Sequence, residues 1–233
     1  MFTGIIESLG TVTGVELRAD GGFALLTVEA GLLVADLPRG GSLAVNGVCL
    51  TAVPDTAPEP AGPDGTDSSG VGSGGTGSGT FSAEVIGETL ERTTLGRLAV
   101  SDRVNLERCM PAGGRFDGHV VQGHVDGVGT ISRFDDAGGW VRMRVDLPAD
   151  LARYTAEKGS IALDGTSLTL TAVSEPGESP AWIEVGLIPA TLEQTGFGTA
   201  TVGRPVNVEV DVLAKYAERL LGFTAARTEG AAR

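Results

Sequence analysis

The sequence predicts an all-β protein made of two copies of one small antiparallel barrel or sandwich, followed by a single C-terminal helix. Three observations predict it: an ordered internal repeat, apolar and polar residues alternating at period two, and one helical stripe near the C-terminus.

The repeat comes first because it divides the chain. GIIESLGTV (Gly4 to Val12) matches GHVDGVGTI (Gly123 to Ile131) at an offset of 119 residues, and GSLAVNGVCLT (Gly41 to Thr51) matches GSIALDGTSLT (Gly159 to Thr169) at 118. Farther on, GETLERTTLG (Gly87 to Gly96) matches PATLEQTGFG (Pro189 to Gly198), and VNLE (Val104 to Glu107) matches VNVE (Val206 to Glu209), both at 102. The order is kept, and the offset drops across residues 56–80, which hold 8 Gly, 4 Ser, 4 Thr and 3 Pro in 25 residues. Such a stretch cannot offset its ordering entropy by burial, so it is expected to be a flexible loop inserted in the first copy. It lacks the Lys of a phosphate-binding GxxxxGK[ST] loop. The expected units are residues 1–118, residues 119–211 and a tail of 212–233.

Within each copy the strands show as runs such as Ala24-Leu25-Leu26-Thr27-Val28-Glu29 and Val141-Arg142-Met143-Arg144-Val145-Asp146. Turn residues punctuate them at Ala19-Asp20-Gly21-Gly22 and Asp136-Ala137-Gly138-Gly139. A short helix per copy is expected, starting in the second at Pro189 and ending at Gly196 or Gly198. In the tail, Leu213, Tyr216, Ala217, Leu220 and Leu221 fall on one helical face. Asp211 is placed to cap that helix. A lone helix of this length is marginal in water, so the stripe needs a surface, its own barrel or other copies of the chain. Residues 227–233 are expected to fray.

Composition narrows the class. The net charge of −13, without a basic cluster, argues against nucleic acid. No apolar run approaches the roughly 18 residues of a membrane span. The opening Met-Phe-Thr-Gly lacks a signal-peptide layout, and Cys49 and Cys109 are too few for a disulfide framework. A cytoplasmic protein acting on a small molecule is the expectation.

Candidate site residues fall at matching points of the repeat: Cys49 with Ser167, Thr51 with Thr169, and Thr89 with Thr191. The two histidines, His119 and His124, make too few ligands for zinc, and at i, i+5 on a strand they would point to opposite faces. Lys158 is a further polar candidate. Twin pockets on twin modules point to two similar ligands bound together.

Taken in order, MFTGIIE, NGVCLT, GETLERTTLG, GHVVQGHVDG, DGTSLTL, LIPATLEQT and VNVEVD resemble the riboflavin synthase family of the tandem lumazine-binding type. The resemblance spans about residues 1 to 222, except 54 to 80. It implies two six-stranded Greek-key barrels and a C-terminal helix that gathers three chains into a homotrimer. It implies that two molecules of 6,7-dimethyl-8-ribityllumazine dismutate by four-carbon transfer into riboflavin and 5-amino-6-ribitylamino-uracil, with no metal or redox cofactor. The alternative is a non-catalytic lumazine- or flavin-binding protein of the same fold. The site would lie between the first barrel of one chain and the second of its neighbour.

The resemblance also implies the binding residues. One lumazine would meet Gly4, Ile5 and Ile6 together with Cys49, Leu50 and Thr51 and with Glu84, Val85, Ile86, Gly87, Glu88 and Thr89. The other would meet Gly123, His124 and Val125, Lys158, Ser167, Leu168 and Thr169, and Leu187, Ile188, Pro189, Ala190, Thr191 and Leu192. Phe2 is expected to reach into the site. His124, hydrogen-bonded with Thr169, would help move protons, with Ser167 and Cys49 beside the reacting carbons and His119 in support. Asp211 serves the site or caps the helix. Ala190 stands where family members often carry an acid or histidine, and Val48 where some have a second Cys.

Overall fold

The structure, a computed structural model, describes residues 1–17, 22–53 and 79–231. The insertion expected at 56–80 lies outside these up to residue 78, and most of the turn expected at 19–22 lies outside them too.

The first barrel consists of β1 (Ser8–Leu17), β2 (Phe23–Glu29), β3 (Ser42–Val45), β4 (Val48–Thr51), β5 (Thr80–Ile86) and β6 (Arg103–Arg108), with helix α1 (Gly87–Arg92) between the last two strands. The second consists of β7 (Gly127–Asp136), β8 (Val141–Leu147), β9 (Ser160–Leu163), β10 (Thr166–Val173), β11 (Ala181–Leu187) and β12 (Pro205–Val210), with α2 (Pro189–Gln194) in the same place. The starts of β7, β9, β10, α2 and β12 stand at the repeat offsets from β1, β3, β4, α1 and β6.

Strand order confirms the duplication. The first sheet runs β4-β3-β6-β1-β2-β5, and the second closes as β10-β11-β8-β7-β12-β9. Each is the Greek-key path, in which the last strand lies between the first and third. The first barrel is nearly closed: its edge strands are joined through the bridge Ala52↔Ala83, equivalent to Leu170↔Val185 in the second. Closure leaves few unpaired strand edges. Period-two alternation fills each interior, with Val12, Leu26, Val28, Leu43, Phe81 and Leu106 in one and Ile131, Met143, Val145, Ile161, Ile183 and Val208 in the other.

Both β3–β4 and β9–β10 turn through two residues, Asn46-Gly47 and Asp164-Gly165, all at positive φ, the conformation a tight twisted hairpin requires. These hairpins meet tip to tip: a Cβ on Gly47 would stand 2.5 Å from the Gly165 nitrogen. Around this contact the asparagine hydrogen bonds come in mirrored pairs, while Arg204 pairs with Asp164 on one side alone among the described residues (3.0 Å). Asn105 Nδ2 donates to the Asp164 carbonyl (2.9 Å) and Asn207 Nδ2 to the Asn46 carbonyl (2.8 Å). Asn105 Oδ1 accepts from Gly196 N–H (2.8 Å) and Asn207 Oδ1 from Thr94 N–H (2.7 Å). A pseudo-twofold axis therefore relates the barrels, and four residues sit on it as a buried cluster: Phe2 with its equivalent Val121, and Ala44 with Ala162.

Helix α2 stops at Gln194, before the glycines expected to end it. The Thr195 hydroxyl donates back to the Thr191 carbonyl (2.6 Å) and accepts from Phe197 N–H (3.2 Å), so the chain turns into a short 3-10 segment, Gly196–Thr199. The tail helix α3 (Val212–Ala231) runs farther than the fraying expected from residue 227. Asp211 Oδ1 caps it by accepting from Leu213 N–H (3.0 Å). Lys215 Nζ to Asp126 (2.9 Å) and Glu218 with Arg153 (2.8 Å) and Tyr154 tie its first turns to the second barrel. Much of the apolar stripe is exposed: Leu213 is 70%, Tyr216 65% and Leu221 68% exposed. No described helix is long and apolar enough to cross a membrane.

Candidate active site

The structure gathers most of the expected segments into two candidate half-sites, but exchanges the arms that open each repeat. Gly4, expected beside Cys49, lies against Ser167: its carbonyl accepts from Ser167 N–H at 2.7 Å. Gly123, expected beside Ser167, lies against Cys49, whose N–H donates to the Gly123 carbonyl at 2.9 Å. Both glycines have positive φ, 76° and 77°. A Cβ on either would fall within 2.7 Å of the Cβ of Ser167 or Cys49, so no other residue fits. The arms cross because the segment before each barrel's first strand pairs with its twin across the axis, Phe2 N–H to the Val121 carbonyl (2.8 Å) and Val121 N–H to that of Phe2 (3.2 Å).

One half-site therefore comprises Cys49-Leu50-Thr51 with Gly123-His124-Val125, and Val125 packs against the first barrel's core. The other comprises Ser167-Leu168-Thr169 with Gly4-Ile5-Ile6. Antiparallel register carried on from Ala52↔Ala83 and Leu170↔Val185 brings the ends of β5 and β11 alongside, so residues 84–89 border the first and 187–192 the second. Ile86 and Ile188, equivalent N-caps of α1 and α2, stand 60% and 58% exposed there, and Ile5 is exposed as well. Exposed aliphatic groups beside polar strand ends suit a flat heteroaromatic ligand.

The reactive atoms of the half-sites differ. The Ser167 hydroxyl stands 2.7 Å from His119 Nδ1. Burial pushes the His119 imidazole below its ordinary value, an effect partly opposed by the negative charge of Asp211. The ring is then neutral near pH 7 and able to accept a proton from the hydroxyl. Burial pushes the Cys49 thiol up, opposed in part by Ser42, and among the described residues no imidazole is hydrogen-bonded to it.

Several of the expected residues stand in other surroundings than those expected. His119, expected only in support, is the histidine paired with Ser167. His124 is exposed and contributes its backbone, its N–H donating to Glu209 at 3.0 Å, and among the described residues no hydrogen bond joins its ring to Thr169. Phe2, expected to reach into the site, is wholly buried in the axis cluster with Cys49 at its edge. Lys158 remains exposed, its nearest charge being Glu157 at 3.7 Å. Asp211, left between two roles, caps α3 and also lies close enough to His119 for its charge to be felt. Among the described residues no group of three or more His, Cys, Asp or Glu could hold a metal ion.

Two residues escaped sequence reasoning. Glu107 and Glu209 are 3% and 2% exposed and hold the crossing arms. Glu107 accepts from Thr3 N–H (2.6 Å), the Thr3 hydroxyl (2.8 Å) and Gly4 N–H (3.0 Å). Glu209 accepts from the N–H groups of Gln122 (2.7 Å), Gly123 (2.9 Å) and His124 (3.0 Å). Burial raises both carboxyls above their usual range, and the donated hydrogen bonds oppose it. The repeated VNLE and VNVE motifs carried the signal, an acid in register in both copies.

Comparison with known proteins follows this geometry. The family model of the lumazine binding domain matches twice, at residues 3–109 and 122–211. The riboflavin synthase of Mycobacterium bovis is 46% identical over 221 residues, 95% of this chain and 98% of that protein. That of Actinobacillus pleuropneumoniae is 39% identical over 95% of this chain and 90% of the relative. Among solved structures, LumP complexed with riboflavin superposes with a TM-score of 0.71 at 21% identity, over 90% of this chain and 99% of that one, a likeness of fold.

Proposed function

The chain belongs to the riboflavin synthase family, and on that premise we propose how its two half-sites carry out the reaction. It is an enzyme of the transferase type that dismutates 6,7-dimethyl-8-ribityllumazine: one molecule gives a four-carbon unit to another, yielding riboflavin and 5-amino-6-ribitylamino-uracil.

One observation carries this reading, the pair of half-sites with the same backbone and different reactive atoms. The reaction consumes two copies of one compound in two roles, donor and acceptor. Matching backbone geometry, a glycine carbonyl on a strand N–H in each, fits two copies. The Ser167–His119 pair on one side and the Cys49 thiol on the other give them different roles. The C7 methyl of a lumazine is acidic because its carbanion delocalises into the pteridine, and it needs a base. The half-site with the imidazole-polarised hydroxyl takes the molecule that loses this proton. The other, walled by Cys49 and Val125, holds its partner. Holding the reacting carbons in register can remove about 7–11 kcal/mol of a bimolecular barrier.

On this reading a working site joins the first barrel of one chain to the second barrel of a neighbour, and the stripe of α3, with Leu213 70% exposed, gathers the chains into a homotrimer. Two free thiols fit a reducing, cytoplasmic setting. The test is complementation. Cys49→Trp and Ser167→Trp variants are each made, mixed after partial denaturation and refolded together, and riboflavin formation from the lumazine is followed. Between-chain sites regain activity in the mixture, because some interfaces join two intact half-sites. A mixture no more active than its parents contradicts the arrangement.

A further inference from the structure

We infer that Glu107 and Glu209 are positioning residues that act crosswise, each setting the reactive residue on the barrel it does not belong to. Glu107, on β6 of the first barrel, collects the N–H groups of Thr3 and Gly4 and the Thr3 hydroxyl. This fixes Gly4, whose carbonyl accepts from Ser167 N–H of the second barrel at 2.7 Å. Glu209, on β12 of the second barrel, collects three successive N–H groups from Gln122 to His124. This fixes Gly123, whose carbonyl accepts from Cys49 N–H of the first barrel at 2.9 Å.

A buried carboxylate that accepts several N–H groups is a stiff anchor, because charge-assisted bonds are short and leaving one unmade is costly. The anchor matters for chemistry because Gly4 and Gly123 touch the reactive residues with no side chain between. A shift of an arm moves the strand end that carries Ser167 or Cys49. Glu209 has a second line to Cys49: its negative charge lies near enough to disfavour the thiolate. The barrels are thereby coupled, and neither half-site can be set without the other's last strand.

The consequence for turnover rests on the synthase reading; the positioning does not. The test accordingly uses thiol alkylation, which needs no turnover. In a Cys109→Ala background Cys49 is the single thiol. In a Cys49→Ala, Cys109→Ala, Ser167→Cys background the reporter stands at position 167. Each receives Glu107→Gln or Glu209→Gln, and alkylation by iodoacetamide is followed across pH by mass spectrometry, with circular dichroism to confirm folding. The crossed pattern is expected: Glu209→Gln raises the Cys49 rate at least about threefold and lowers its thiol pKa, while Glu107→Gln leaves both unchanged. At position 167 the dependence reverses. A general loosening by a poorly solvated Gln would speed both reporters alike and overturn the inference, as would a same-barrel pattern. Should a Gln variant fail to fold, the Asp variant, shorter but still charged, must show the same crossing at smaller size, or the inference falls. If the crossing holds while the wild-type chain makes no riboflavin, the synthase reading fails and the positioning stands.

Discussion

Asp164→Asn makes the second barrel's hairpin tip chemically equal to the first's, and its effect on stability has a computable pH dependence. Asn46 and Asp164 share a conformation, φ 45° and 43°. The side-chain oxygen of each accepts the backbone N–H of the facing asparagine, Asn105 or Asn207, at 2.8 Å. Asn thus fits the position. What differs is charge: Asp164 is wholly buried, and burial pushes its carboxyl from 3.8 up to about 6, against the pull of Arg204 3.0 Å away. Between those two values the folded chain holds a proton that the unfolded chain has released. Stability is therefore greatest below the lower value and is lost as pH rises through the upper one. Such a rise is worth about 3 kcal/mol, of which about 1 kcal/mol is lost above pH 5. Asn does not titrate. Urea unfolding of both proteins at pH 5, 6, 7 and 8 should show the variant gaining about 1 kcal/mol on the wild type between pH 5 and 8, with little change above pH 7. The lost Arg204 pair changes the offset, so the slope is the test. Parallel curves, or a wild type that gains on the variant as pH rises, would refute the reasoning.

Other expectations follow from the same geometry. His119→Ala should cut kcat by about 10²–10⁴-fold with little change in KM, since the imidazole acts on a proton in transit. Because burial lowers the ring's pKa, wild-type activity should persist to a pH below the ordinary histidine value of 6.5 before falling. Asn207→Ala strands the buried N–H of Thr94 and the carbonyl of Asn46 and should cost about 2–4 kcal/mol by chemical denaturation, whereas an exposed control such as Thr201→Ala should cost under about 0.5 kcal/mol. Removing residues 212–233 should give a monomer on sizing with riboflavin formation lost; an active monomer would place the site within one chain.

The fold was largely legible. Repeat offsets of 119, 118 and 102 put the strand starts of the second barrel where they stand, because a duplicated module must bury the same alternating faces. The stripe from Leu213 to Leu221 gave the tail helix, and Asp211 its cap. The candidate segments meet in the structure, but in a pairing other than the expected one, because an offset says which residues correspond, not which copy an arm packs on: Gly4 lies against Ser167 and Gly123 against Cys49. Glu107 and Glu209 escaped for a related reason. In VNLE and VNVE the residues alternating with valine and leucine are Asn and Glu, types ordinarily found facing solvent. Both faces of β6 and β12 are buried, one in the barrel and the other beneath the crossing arms. The resemblance points to His124 for proton transfer, but which imidazole meets the Ser167 hydroxyl is set by tertiary packing, and here it is His119.

The central claim is that two copies of one compound react with each other on this chain. Purified protein given 6,7-dimethyl-8-ribityllumazine as its sole substrate, with the mixture quantified by chromatography over time, tests it most directly. The account predicts two lumazines consumed for each riboflavin formed, with one 5-amino-6-ribitylamino-uracil released. Tight binding without riboflavin, the behaviour of a carrier, or consumption of one lumazine per riboflavin would contradict it.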